Sequence, residues 1–349
     1  MRSPKPLAVA SAIGMVLVVA TASQAGVTPT KVLGGPADQF RPTSDGVSVA
    51  WSEFKRSTGN DVYVRALDAT TERRVNEAGT AGWLGSFAGD TDEIVYQQAT
   101  RRRSDIFIYD VSDRTRSKLR DGISSLDWEW WPVASPELVL FLRDVLNDRG
   151  EYVKTKLLMV NRATDDVRTL IGDIGRRTLV FPGFVGAGLV AWTRCARTCN
   201  VFIHDAVGNA TSRLPMPDNR AQYAPAIDEV GGMIYFIRSG PRCGQGVTFR
   251  RASLADPDTS TALFQLPAGI DTDWTMSLTT DPDTMLLDLY FGRFNCARQD
   301  TDVYVLNGVD APTMALRSVG WTGIGPGGGS RRTDMAGASP GHPSARPGR

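Results

Sequence analysis

The stretch "SDGVSVAW" at Ser44–Trp51, followed by "DVYV" at Asp61–Val64, decides the reading of the chain, because both halves of it recur. A hydrophobic run ending in an aromatic comes back at Tyr96, Phe141, Trp192, Phe236 and Tyr290, at intervals of 45, 45, 51, 44 and 54 residues from Trp51 onward. The second half returns as "DIFIYD" at 105–110, "NVFIHD" at 200–205 and "DVYV" at 302–305, with "KLLMV" and "VTFRR" in the same place in the third and fifth units. A period near 45 residues is too long for one hairpin and accommodates about four short strands, the unit of a propeller blade. Six such units predict an all-β, six-bladed β-propeller of four-stranded antiparallel blades.

Composition agrees with that fold. Thirty-five glycines and 20 prolines in 349 residues punctuate the chain as short strands and turns require, and no long amphipathic helical stretch competes. Pro42, Pro132, Pro182 and Pro225 stand at similar offsets before the strand aromatics, where a proline is expected to open the innermost strand, since a first residue needs no ladder donor. Ring closure is left open: "TKVLGG" at 30–35 and "TMALRSV" at 313–319 both read as the outermost strand of a blade, and six blades need only one of them.

"SDGVSVAW" and "SPELVLF" at 135–141 resemble degenerate forms of the Ser-Pro-Asp-Gly turn and strand of TolB-like six-bladed propellers, a family related in architecture to the non-catalytic propeller of prolyl oligopeptidase-type peptidases. The resemblance covers about residues 30 to 319 and implies fold rather than chemistry. TolB carries an α/β domain before its propeller and the peptidases carry a hydrolase domain, and neither is expected within these 349 residues.

Residues 1–25 read as an export signal: Arg2 and Lys5 precede an apolar core at 7–20, and Ser23-Gln24-Ala25 forms a small-residue cleavage site. The apolar run is about fourteen residues where a spanning helix needs about twenty, so no membrane span is expected in the mature form. A secreted or cell-envelope location after cleavage near Ala25 turns the four cysteines into two expected disulfides. Three connectivities exist. Cys195 and Cys199 flank one short loop, and Cys243 and Cys296 occupy corresponding loops of neighbouring blades, which favours Cys195–Cys199 with Cys243–Cys296 over a four-thiolate zinc site.

The two histidines limit the chemistry. His342 lies near the end of the chain and His204 occupies the slot of Tyr109 two blades earlier, so a histidine-based triad is not expected. Carboxylates remain: Asp127 and Glu129 stand among Trp128, Trp130 and Trp131, and Asp271 and Asp273 stand beside Trp274. Acid pairs next to aromatic rings suit glycan processing, where carboxylates exchange protons and rings stack on sugar faces. No set of carboxylates and amides points to a metal, and no cofactor is implied.

Loops joining the second and third strands of each blade carry a different pattern. Lys55 and Arg56, then Arg101, Arg102 and Arg103, Arg143 and Arg149, Arg194 and Arg197, Arg238 and Arg242, and Arg293 and Arg298 place at least two cations on every blade, on one face of the ring. Asp68, Asp110, Asp113, Asp165, Asp166, Asp205, Asp256 and Asp258 fall in turns of the opposite face. Arg2 and Lys5 supply two charges of the leader and four arginines less Asp334 supply three beyond residue 320, so the formal net charge of +1 leaves the body at −4. Nucleic acid is a poor partner for such a body. A basic rim of Arg56, Arg101, Arg102, Arg103, Arg197, Arg242 and Arg293, with Trp128, Trp130 and Trp274 toward the centre, suits an anionic protein or cell-envelope polymer instead. The expectation is a monomeric, non-catalytic binding scaffold, with a carbohydrate-active enzyme as the competing class.

Residues 320–349, rich in Gly, Pro and Arg, cannot bury enough apolar surface to order themselves. Deleting them is expected to leave the melting temperature of the body at 26–319 unchanged by calorimetry; a substantially lower melting temperature would place that segment in the fold.

Overall fold

The computed structural model describes residues 28–55, 59–100, 103–119, 127–175, 177–216 and 218–309. The leader at 1–25, "TMALRSV" at 313–319 and the stretch 320–349 lie outside them. Among the described residues there are 24 strands and no helix. Strand β1 spans Thr30–Leu33. Blade one contains β2 (Asp38–Ser44), β3 (Ser48–Lys55), β4 (Gly59–Ala66) and β5 (Arg73–Arg74). Blade two contains β6 (Ala81–Phe87), β7 (Glu93–Ala99), β8 (Ser104–Asp110) and β9 (Arg116–Lys118). Blade three follows with β10 (Trp128–Ala134), β11 (Leu138–Leu146), β12 (Tyr152–Asn161) and β13 (Val167–Ile174). Blade four has β14 (Leu179–Val185), β15 (Leu189–Cys195), β16 (Cys199–Asp205) and β17 (Ala210–Arg213). Blade five has β18 (Ala221–Asp228), β19 (Met233–Ser239), β20 (Thr248–Ser253) and β21 (Ser260–Gln265), and blade six has β22 (Ile270–Thr280), β23 (Leu287–Asn295) and β24 (Asp300–Leu306). The protein is the expected six-bladed propeller.

Strand β1 settles the closure. It pairs antiparallel with β24, Thr30 opposite Val305, and so becomes the outermost strand of blade six in the sheet order β1-β24-β23-β22. The first strand of the ring is thus hydrogen-bonded to the last, and neither end of the ring carries an open edge there.

The core is six cores. Each cluster of buried apolar side chains belongs to one seam between neighbouring blades: Tyr96 with Val62 and Leu84 between blades one and two, Phe141 with Val95 between two and three, and Trp192 with Leu140 between three and four. Phe236 with Val201 fills the seam of four and five, Phe249 with Phe291 that of five and six, and Trp51 with Tyr290 and Leu33 that of six and one. The recurring aromatic of the second strand is therefore the repeated wedge between blades, and Trp51 and Tyr96 are fully enclosed.

The prolines correct the sequence reading. Pro42, Pro132, Pro182 and Pro225 lie inside the innermost strands, at a register shift that every innermost strand shares: Phe40/Thr43, Leu84/Ser86, Trp130/Val133, Pro182/Phe184, Tyr223/Ala226 and Thr272/Met276. A proline fits there because a bulge already releases the backbone from its partner strand. Neighbouring bulges also touch: a Cβ on Gly85 would lie 2.2 Å from the Pro132 carbonyl oxygen, and one on Gly183 would lie 2.7 Å from the Pro225 ring.

Both expected disulfides form. Cys195–Cys199 closes the tip of the β15–β16 hairpin, and Cys243–Cys296 joins blade five to blade six. The bridges span 4 and 53 residues in sequence. Chain-entropy arithmetic assigns about 4 kcal/mol to the longer loop and about 2 kcal/mol to the shorter. Replacing Cys243 and Cys296 by Ser should therefore lower the unfolding free energy more than replacing Cys195 and Cys199, in matched denaturant titrations; the reverse order would deny the inter-blade bridge its role.

Candidate functional site

The innermost strands run from the face that carries the second-to-third-strand hairpins to the face that carries the first-to-second-strand turns. Half-way along, the shared bulge turns side chains into the channel. Arg41, Trp131, Ala224 and Trp274 take left-handed φ angles of 52°, 55°, 52° and 72° at this level, a conformation uncommon outside glycine. The freed N–H groups find partners on the preceding blade: Leu84 N donates to Ser52 Oγ at 2.8 Å, Trp131 N to Gln97 Oε1 at 3.4 Å and Ala224 N to Thr193 Oγ1 at 3.0 Å. Arg41 N donates to the Asp273 carboxylate across the seam of blades six and one.

Side chains at this level fill the waist of the channel. The Arg41 guanidinium lies 3.5 Å from the centroid of the Trp131 ring, Trp131 meets Phe181 at 4.7 Å, Phe181 meets Trp274 at 5.6 Å, and Trp274 meets Tyr223 at 4.5 Å. Five of the six blades contribute to this septum. Between the septum and the turn face lies a cavity of about 110 Å³, lined by Thr43, Ser86, Phe87, Phe184, Met276 and Ser277 among others, with Arg41 and Trp131 at its inner end.

The four carboxylates singled out in the sequence are each engaged within the protein. Asp127 Oδ1 accepts from Leu146 N at 2.9 Å. Glu129 is buried and accepts from Arg143 at 2.6 Å; burial pushes its carboxyl up and Arg143 opposes that. Asp271 accepts from the Tyr223 hydroxyl at 2.8 Å and from Gly244 N at 3.0 Å, beside the Cys243–Cys296 bridge. Asp273 accepts from Arg41 N through one oxygen and from Thr275 N and Oγ1 through the other, and its burial raises its pKa. Among the described residues the one grouping of three metal-type ligands is Cys243, Asp271 and Cys296, whose sulfurs are bonded to each other. His204 is buried on Thr211 at 2.9 Å, and burial pushes its imidazole pKa down.

The tryptophans divide. Trp274 belongs to the septum, Trp130 packs on the seam of blades three and four, and Trp128 is half-buried at the start of β10. The arginines divide as well. Arg56, Arg101 and Arg102 lie outside the described residues. Arg103 pairs with Asp105 at 3.1 Å, Arg298 with Asp300 at 3.1 Å, and Arg238 with Asp218. Arg143 is committed to Glu129, and Arg293 lies over Tyr304, donating to its hydroxyl at 3.0 Å. Arg194, Arg197 and Arg242 are exposed and pair with no acid among the described residues. Arg149, on the blade-three hairpin, is also exposed and pairs with no acid among the described residues, so the unpaired cations of this face lie over blades three, four and five. Arg41, Phe181 and Tyr223 were not read from the sequence; Arg41 and Phe181, like Trp131, stand directly before a proline, and Tyr223 stands two residues before Pro225.

No protein-family model and no curated protein matches the chain. Among solved structures it is similar to a putative TolB from Agrobacterium tumefaciens, at 12% identity and a TM-score of 0.50, over 78% of this chain and 91% of that one. The propeller domain of the Trilobed protease from Pyrococcus furiosus gives 10% identity and 0.49 over 77% and 92%, and TolB from Acinetobacter baumannii gives 13% and 0.45 over 78% and 63%. The chain spans 63% of the length of the Acinetobacter protein and 40% of that of a prolyl endopeptidase. The fold is that of a TolB-like propeller.

A carboxyl whose pKa is raised on folding binds more protons in the folded than in the unfolded protein, so its contribution to stability declines as pH rises from the ordinary aspartate pKa through the raised one. Asp273→Asn keeps an acceptor for Arg41 N while removing that titration. Denaturant midpoints of the two proteins, measured from about pH 4 to 7, should shift in favour of the variant as pH rises; a difference that stays constant with pH would show that Asp273 does not titrate in that window.

Proposed function

We propose that this TolB-like propeller is an exported, non-catalytic scaffold, with a body at 26–319, that binds an anionic protein or cell-envelope polymer through its hairpin face. The observation that carries the reading is the exposed, unpaired group Arg194, Arg197 and Arg242, on hairpins of adjacent blades. Unpaired guanidiniums on one face attract and orient an anionic partner, whereas the acids Asp45, Asp90, Asp110 and Asp281 belong to turns of the other. Two disulfides and no free cysteine among the four suit an oxidising compartment. No helix of the described residues is long and apolar enough to cross a membrane. The internal hydrogen bonds of Asp127, Glu129, Asp271 and Asp273 favour structural service for these acids over proton transfer to a glycan.

Binding of the mature protein to cell-envelope fractions and to polygalacturonate, across a salt series, tests the reading. Affinity should fall as salt rises, and the Arg194→Ala, Arg197→Ala, Arg242→Ala triple variant should bind about tenfold more weakly. Salt-independent binding, or a triple variant that binds like the wild type, would remove the hairpin face from the working surface.

A further inference from the structure

The channel cavity contains a cation without an assigned task. Arg41 stacks its guanidinium on Trp131, and the one hydrogen bond recorded for its five donors is a long one, Nη1 to the Leu84 carbonyl oxygen at 3.4 Å. No carboxylate oxygen lies within 4 Å of its nitrogens among the described residues. Asp273, its electrostatic partner, uses its two oxygens on the Arg41 backbone N–H and on Thr275. Enclosure pushes the guanidinium down to about 9, against the pull of Asp273, and it remains a cation at neutral pH. Arg41 is half-buried, and a partly desolvated cation with unfilled donors gains from an anion that completes it. A second unfilled group borders the same space: Ser277 lines the cavity, and its buried Oγ has no hydrogen-bond partner.

We propose that the cavity between the septum and the turn face is a binding site for a small monocarboxylate with a short apolar tail, its carboxylate held by the donors of Arg41. A planar guanidinium fork matches a carboxylate with two parallel hydrogen bonds. Phe87, Phe184 and Met276 give the tail an apolar wall, and the modest volume favours a short-chain acid over a sugar. Arg41 is the only cation among the lining residues, and Asp90, at the mouth, is the only acid. One cation beside Asp273 suits a single negative charge better than a phosphate dianion. The site lies on the far side of the septum from the hairpin arginines and does not rest on the scaffold reading.

The probe is sodium butyrate, titrated into the full chain by calorimetry and by the fluorescence of Trp131 and Trp274, with butyramide as its neutral counterpart and inorganic phosphate as a second anion. Saturable butyrate binding that changes tryptophan emission, about tenfold or more weaker for butyramide, supports the site. Arg41→Met should then weaken butyrate binding by a similar factor. Should that variant fail to fold, the wild-type comparison decides by itself. Equal binding of acid and amide, no butyrate binding, tighter binding of phosphate, or unchanged binding by a folded Arg41→Met protein would each overturn the assignment.

Discussion

In four of the six innermost strands, an N–H group stripped from its own sheet at a bulge is received by a side chain of the preceding blade: Ser52, Gln97, Thr193 and Asp273. A blade of four strands buries its two faces only against its neighbours, so apolar packing alone would let blades slide along their seams. A directional hydrogen bond at the narrowest radius fixes the register of one blade on the next. The left-handed backbone of Arg41, Trp131 and Trp274 follows from the same bulge, and it is this backbone that turns large side chains across the channel axis. The septum and the cavity behind it are consequences of how the blades are joined.

Asp273 takes on a different meaning in that light. At the seam of blades six and one, next to the blade that β1 closes against β24, it does for Arg41 N what a hydroxyl or an amide does at the other seams. The site it occupies is crowded: a Cβ on Gly292 would lie 2.3 Å from its carboxylate, so the opposite strand has to be glycine for the acid to fit. Beside Trp274 in the sequence the same acid looks like half of a catalytic pair.

The fold was legible because its signal is redundant. Six aromatics at near-constant intervals and a strand phrase repeated four times outweigh any local irregularity, and each aromatic proved to be a seam residue. The disulfides were legible for the same reason, since corresponding loops of neighbouring blades must lie close. The channel was not legible, because one inserted residue inverts which side chains face inward from that point on. The sequence reading sets Trp128 and Trp130 toward the centre, while Trp131, at the bulge, is the tryptophan of blade three that joins the septum. Within the arginine rim, Arg103 and Arg298 each meet an acid two residues further along the chain, at Asp105 and Asp300, and Arg143 meets Glu129 across the ladder. Counting cations by loop does not show which of them are already neutralised.

The pairing of Thr30–Leu33 with β24 has a consequence in time. Synthesis delivers β1 first and its partner last, more than 260 residues later, so the ring can close only once nearly all of it has been made. Blades one to five can form their sheets in order, but the faces bordering the unfilled gap stay uncovered until β22 to β24 arrive and β1 docks. Such a chain is held open by its own topology until its last strands are made, and its last seam forms as a single late event that joins the first described strand to the last.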